Sequence, residues 1–386
     1  MDSVGRAIGV SSTAGGLVPE RRLLMNQYRT FGYEFAADER VSQLGALRDT
    51  YQFFESDEVT DPSIRVSDLQ AAPTHAHRLG GSKRFYGRGD GRFTVRDHSS
   101  TVAVDADWTS IGCSEDVSTS TLTTMLEGEM RASLAPSGKA ILHASAIEYE
   151  GETILFPAWR HTGKTNTMLS FAVRGAAFLS DDRLFVDEDG TAYSYPTPIN
   201  LLQYNLRAFP ELLDRTWTER ATDKISLEIA RHTEGMPEHS FVRGTLDYLN
   251  NHVIKDSYTL HPSVLFDGIE IPESTAADKV ILLETTEEPI GHCRLEPLSD
   301  AELAQALMSI TEYEWNSKLQ QLYSGYDMLF PDRPAKTAQL ESLRSAERDV
   351  YKRFSTDVSS FRLAVPEEEE WELETQERVV ETTLNA

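Results

Sequence analysis

Polar and apolar positions alternate over Tyr28–Phe35, which predicts a strand and marks the start of the ordered chain. A polar stretch around 58–80, rich in Asp, Pro, Ser and His, reads as loop. Phe85–Val95 reads as two strands joined by a Gly-Asp-Gly turn, and Ser100–Asp105 as a third. Over Thr119–Ala135 the spacing changes to helical, with Leu122, Met125, Leu126, Met130 and Leu134 on one face. Ile141–Tyr149 and Thr153–Phe156 are apolar strands on either side of a Glu-Gly-Glu turn. A loop, Pro157–Gly163, then leads into a helix over Lys164–Arg174 that Gly175 ends. Ala176–Ser180 is a further short strand closing on Asp181 and Asp182. Strand, loop, helix, strand predicts a βαβ unit with parallel strands and the loop at their carboxyl ends, the edge where ligands bind. A hairpin is expected over Asp182–Tyr195, a buried strand at Val280–Leu283, a helix over Asp300–Tyr323 and a late strand at Phe361–Val365.

This pattern divides the chain into a flexible leader (1–22), an N-terminal α+β region (23–135), a core (136–335) and a C-terminal helix, strand and acidic tail (336–386). The expected fold class is α/β, a mixed-sheet core with a small β-rich N-terminal region. At 386 residues and 40% hydrophobic composition the chain can bury a sizeable core. No stretch approaches the roughly 20 apolar residues of a membrane helix, and the first residues lack the apolar block of a signal peptide. The expectation is a cytoplasmic protein.

Charge narrows the partners. Sixty-two acidic against thirty-seven basic residues leave a net charge of −25, which repels nucleic acid and anionic lipid. Dispersed acid with scarce Lys also fits a salt-adapted cytoplasm. Cys113 and Cys293 are far apart without a neighbouring His in sequence, so neither a disulfide framework nor a zinc site is expected. A homo-oligomer stays open.

The candidate chemistry lies between the two central strands. Ala158-Trp-Arg-His-Thr-Gly-Lys-Thr165 fits the phosphate-binding P-loop pattern except at its first position, where Ala158 replaces Gly. Such a loop points backbone N–H groups at phosphate and sets a helix N-terminus behind them. It adds a Lys charge and a hydroxyl for Mg²⁺. The segment Ala158, Trp159, Arg160, His161, Thr162 and Gly163 would cradle the phosphates, with Lys164 and Thr165 supplying charge and hydroxyl. Asp181 and Asp182 end the next strand at the same sheet edge. One carboxylate there can anchor Mg²⁺ while the other takes a proton from an attacking hydroxyl. His143 approaches the pair if its strand pairs with the loop strand.

Taken together, Leu142-His-Ala-Ser-Ala-Ile-Glu-Tyr-Glu-Gly151, the Gly163-Lys164-Thr165 loop and Arg174-Gly-Ala-Ala-Phe-Leu-Ser-Asp-Asp-Arg183 resemble the HPr kinase/phosphorylase family. That family is related in fold to ATP-dependent phosphoenolpyruvate carboxykinase. Weaker landmarks in the same order are Tyr28-Arg-Thr-Phe-Gly32, Lys279-Val-Ile-Leu-Leu-Glu284, Pro297-Leu-Ser299, Trp315 and Phe361-Arg-Leu363. The resemblance implies a kinase using ATP or another nucleoside triphosphate with Mg²⁺. In that role Asp181 would be the general base, Thr165 and Asp182 would serve the metal, and Lys164 and His143 would stand at the reacting centre. The chain departs from the family at its loop, which is not glycine-rich, and at Asn166, where HPr kinases carry Glu. It also shows no clear match to the C-terminal signature of the phosphorylase activity. HPr is therefore not the expected acceptor, and the hydroxyl belongs to another protein or a small molecule. The alternatives are a nucleotide-binding or assembly protein without catalysis, and a remodelling ATPase. The second fits poorly, because such ATPases place their acidic pair on a strand more distant in sequence.

Overall fold

The structure is a computed structural model that describes residues 25–71, 73–210, 257–265, 271–287, 293–367 and 371–386. The leader expected at 1–22 lies outside them. The fold is mixed α/β, with two large mixed sheets, a smaller antiparallel sheet and a two-stranded ribbon. Among the described residues no helix is long and apolar enough to cross a membrane.

The N-terminal sheet has eight strands: β1 (Met25–Thr30), β2 (Tyr33–Asp38), β3 (Ile64–Asp68), β4 (His77–Gly80), β5 (Arg84–Gly89), β6 (Arg92–Asp97), β7 (Ser100–Asp105) and β8 (Ser110–Cys113). Their spatial order is β1-β2-β3-β8-β7-β6-β5-β4. The region around 58–80 is thus not all loop. Ile64 and Val66 alternate with polar residues and face the core, so β3 takes a central place, parallel to β2 and β8. Two short strands in a polar surrounding give too weak a period to be read locally. Helix α1 (Leu44–Tyr51) lies along this lobe, and α2 (Thr119–Leu134) connects it to the core. Ser118 caps α2 by accepting the Thr121 N–H, and the five predicted apolar residues of α2 are all buried.

The expected strand over Ile141–Tyr149 is two strands. β9 (Lys139–Leu142) joins a four-stranded sheet, and β10 (Ala144–Tyr149) joins the six-stranded one. His143 is the residue between them. β11 (Glu152–Pro157) returns antiparallel to β10, and α3 (Lys164–Ala172) then leads to β12 (Ala177–Ser180). β12 pairs antiparallel with β10, so it runs parallel to β11 with β10 between them. The crossover is real, but its two strands are not neighbours.

β13 (Leu184–Asp187) and β14 (Thr191–Tyr193) form the expected hairpin, and β15 (Ile199–Leu202) pairs with β16 (Ser257–Leu260). β17 (Ser274–Ala276) extends the hairpin sheet, and β18 (Lys279–Thr286) pairs parallel with β11. β19 (Leu295–Pro297) edges the core sheet. β20 (Ser359–Pro366) lies between β18 and β19, one strand in from the edge, so the C-terminal residues are built into the core sheet. The helix expected over Asp300–Tyr323 runs as Asp300–Thr311, a π-turn over Glu312–Asn316, and Ser317–Leu329. Within the acidic end, Leu373–Leu384 is a helix that buries Val379 and Val380.

Candidate functional site

β11 stays fully buried to its end, so the chain leaves the sheet abruptly and must turn before α3 begins. The turn is made at His161 (φ 59°) and Gly163 (φ 84°). Ala158 is not a left-handed position and lies buried in the core, so a methyl group fits where the loop pattern carries Gly. Its N–H donates to the His143 carbonyl (3.3 Å), and its own carbonyl accepts from His143 Nδ1 (2.9 Å).

At Gly163 a left-handed backbone is obligatory, and an added Cβ would lie 2.8 Å from Cζ2 of Trp371. No side chain caps α3, so the first N–H groups of the helix face the loop's concavity, the arrangement that accepts anions. Lys164, only 8% exposed, turns inward with Nζ 3.1 Å from His143 Nε2 and 3.5 Å from the Ala158 carbonyl. Burial is the largest influence on its ammonium and pulls the pKa below the ordinary value, against the carboxylates of Asp182, Asp181 and Glu314.

The two aspartates behave differently. Asp181 is 8% exposed, accepts the Thr165 hydroxyl at Oδ2 (3.3 Å), and has a buried Oδ1 without a hydrogen-bond partner among the described residues. Burial, reinforced by the neighbouring Asp182 charge, raises its pKa to about 7. Asp182 shares its oxygens between His143 Nε2 (3.0 Å) and the Arg183 guanidinium (2.8 Å). Burial alone would raise its pKa as well. The charges of Arg183, His143 and Lys164 outweigh it and hold this carboxyl well below the usual range.

The outer loop is tied down elsewhere. Arg160 donates to Glu314 (2.6 Å), a buried residue on the π-turn, and Glu314 also stands 3.8 Å from His143. Trp159, 45% exposed, stacks on Tyr313, 51% exposed, with ring centroids 4.2 Å apart. Thr162 is buried and donates to the Arg160 carbonyl. His161 lines the cavity beside Arg160 and Gly163.

The sequence-predicted residues His143, Lys164, Thr165, Asp181 and Asp182 therefore converge on one cavity of about 740 Å³. Trp159 points away from it, into a separate cleft of about 630 Å³ beside Tyr313 and Met308. Arg183, Glu127, Glu314 and Trp371 complete the site and were not legible in the sequence. Arg183 binds both oxygens of Glu127 at 2.7 Å, tying the acidic pair to α2. The one available signal was Glu127 itself, a charged residue beside Leu126 on a helix whose buried face is apolar apart from Glu127 and Arg131. Asn166 is buried and accepts from Asn205 at 2.7 Å, so it serves packing at this position.

The cavity has three walls. The N-terminus of α3 forms one, Pro198, Leu202 and Tyr204 a second, and Thr119, Ser120 and Thr123 at the start of α2 a third. The arrangement offers N–H donors and a cation to an anion, with a carboxylate oxygen alongside that has no hydrogen-bond partner among the described residues. Among the described residues no group of three or more His, Cys, Asp or Glu is arranged to hold a metal ion. Magnesium at a nucleotide site needs only one or two protein oxygens, because phosphate and water supply the rest. No known family model matches this chain, and no curated protein matches it.

Proposed function

We propose that the chain binds ATP or another nucleoside triphosphate with Mg²⁺ and transfers the terminal phosphate to a hydroxyl, as the resemblance to HPr kinases implies. The observation that carries this reading is Asp181 Oδ1, buried and unpartnered among the described residues, beside Thr165 and Lys164 at the start of α3. A buried carboxylate oxygen left without a donor costs stability, which a structural role alone does not repay.

In this reading the N–H groups of Gly163, Lys164 and Thr165 hold the phosphates, and Lys164 leaves the His143 ring to meet them. Thr165 Oγ1 would provide the protein oxygen for Mg²⁺, which when bound would neutralise phosphate charge. Asp182 is committed to Arg183 and His143, so it acts by holding that charge cluster in place. Asp181 takes the acceptor's proton as the acceptor oxygen bonds to phosphorus and the bond to the leaving diphosphate breaks. A pKa of about 7 suits a base working near neutrality. Base and ribose would lie along the wall of Pro198, Leu202 and Tyr204, and the acceptor along the α2 wall.

A second reading, nucleotide binding without turnover, is favoured by the Arg160–Glu314 and Trp159–Tyr313 contacts, which hold the loop's first half away from the cavity. Following γ-labelled ATP separates the two. Wild type is expected to transfer or hydrolyse the label. Asp181→Asn should bind nucleotide and lose roughly 10²–10⁴ of the rate. Binding with no turnover in wild type would establish the second reading.

A further inference from the structure

The net charge of −25 hides a local reversal. Residues 75–98 hold six Lys and Arg against two Asp, with three His besides. The rest of the chain is correspondingly more acidic.

Strand register gathers these cations on one face. Arg78, Gly87, Thr94, Ala103, Gly112 and Ser67 form a continuous cross-strand row. Arg92 and Arg96 flank Thr94 on β6, and Arg65 lies two residues from Ser67 on β3, so all four arginines share the face turned away from Phe93, Val104 and Ile111. The row's side chains are short, and long ones lie across it. His75 covers Gly87, where a Cβ would meet its ring at 2.2 Å, the Thr74 backbone crosses Gly89, and Leu69 and Arg92 reach over Gly112, so Thr94 and Ala103 are buried and the arginines form the exposed part of the face.

Among the described residues none of the four guanidiniums has a carboxylate partner. Arg78 lies over the Phe85 ring at 4.9 Å, and Arg96 donates to the His98 carbonyl. The nearby acids are committed. Asp90 accepts the Thr74 N–H, and Asp105 accepts from Thr109 and Ser110. Among the described residues His75 Nε2 is buried without a hydrogen-bond partner. Beside this face β4 is the sheet edge, paired only with β5 among the described residues and largely exposed.

We infer that this face docks an extended, acidic peptide segment of a partner protein that crosses from β4 to β6, with carboxylates meeting Arg78 on β4 and Arg92 and Arg96 on β6. A short segment touches only the basic patch. A long polyanion such as nucleic acid would also run against the acidic remainder of the chain. The inference is independent of nucleotide binding.

Fluorescence anisotropy of the full-length protein with a labelled glutamate-rich peptide at low salt tests it, with a labelled single-stranded oligonucleotide in parallel. The combined Arg78→Glu, Arg92→Glu, Arg96→Glu variant should weaken peptide binding about tenfold or more, and Arg294→Glu should leave it unchanged. Gln replacements at the same three sites, which keep the side-chain stems, are the second set if charge reversal disturbs folding. Absent peptide binding, insensitivity to both sets, or tighter oligonucleotide binding at the same arginines would overturn the inference. Sedimentation that shows self-association lost in the variants would also overturn it, by assigning the face to a second copy of the chain.

Discussion

Asp181 and Asp182 are adjacent in the chain and opposite in electrostatics, because only Asp182 reaches Arg183 and His143. Asp181 has a folded pKa of about 7 against 3.8 when exposed, so protonation favours the folded state. Its contribution to stability is full below pH 3.8 and lost as pH rises through 7. The gap corresponds to roughly 4 kcal/mol as an upper figure. Asp181→Asn is therefore expected to raise the melting temperature at pH 8 and to have little effect near pH 4, which thermal melts at the two pH values would show. Any turnover should rise with pH through about 7 in wild type, since only the ionised carboxylate accepts a proton. The members of this site close to one another in sequence, Lys164, Thr165, Asp181 and Asp182, were legible because strand, helix and strand carry them to one edge. Glu127 and Glu314 were not, since their approach depends on how α2 and the π-turn pack and not on any local spacing.

The loop is held by elements far from it in sequence. Gly163 combines a left-handed backbone with contact to Trp371, which precedes the C-terminal helix Leu373–Leu384. Gly163→Ala should destabilise the protein by roughly 1–3 kcal/mol, measured by urea unfolding. Adding Trp371→Phe should recover only the steric part, leaving the backbone strain. Unchanged stability in Gly163→Ala would mean that the loop does not need this conformation. Periodicity found β10, β11, α3 and β12, yet it merged β9 with β10. Both halves are apolar, and the break at His143 comes from two sheets claiming successive residues. It also gave the right direction for β11 and β12 while missing that β10 separates them, because pairing partners are set by sheet order. The C-terminal segment looked like an acidic tail since Glu367–Glu370 dominates its composition. The apolar positions of β20 and of Leu373–Leu384 place it in the core instead.

For the whole molecule the net charge of −25 sets a cost of self-repulsion that salt screens. Melting temperature should rise over the first few tenths molar of salt, and a flat or falling series would remove the salt-adapted reading. The sheets, helices and buried clusters place a loop, a helix N-terminus and a buried carboxylate around one cavity, where a nucleotide is expected to bind. Isothermal calorimetry of ATP with Mg²⁺, comparing wild type with Lys164→Ala, tests that most directly. Wild type should bind. The variant should bind about tenfold more weakly or worse, because a charge-assisted contact to phosphate is lost. Equal affinities, or no nucleotide binding by wild type, would contradict it.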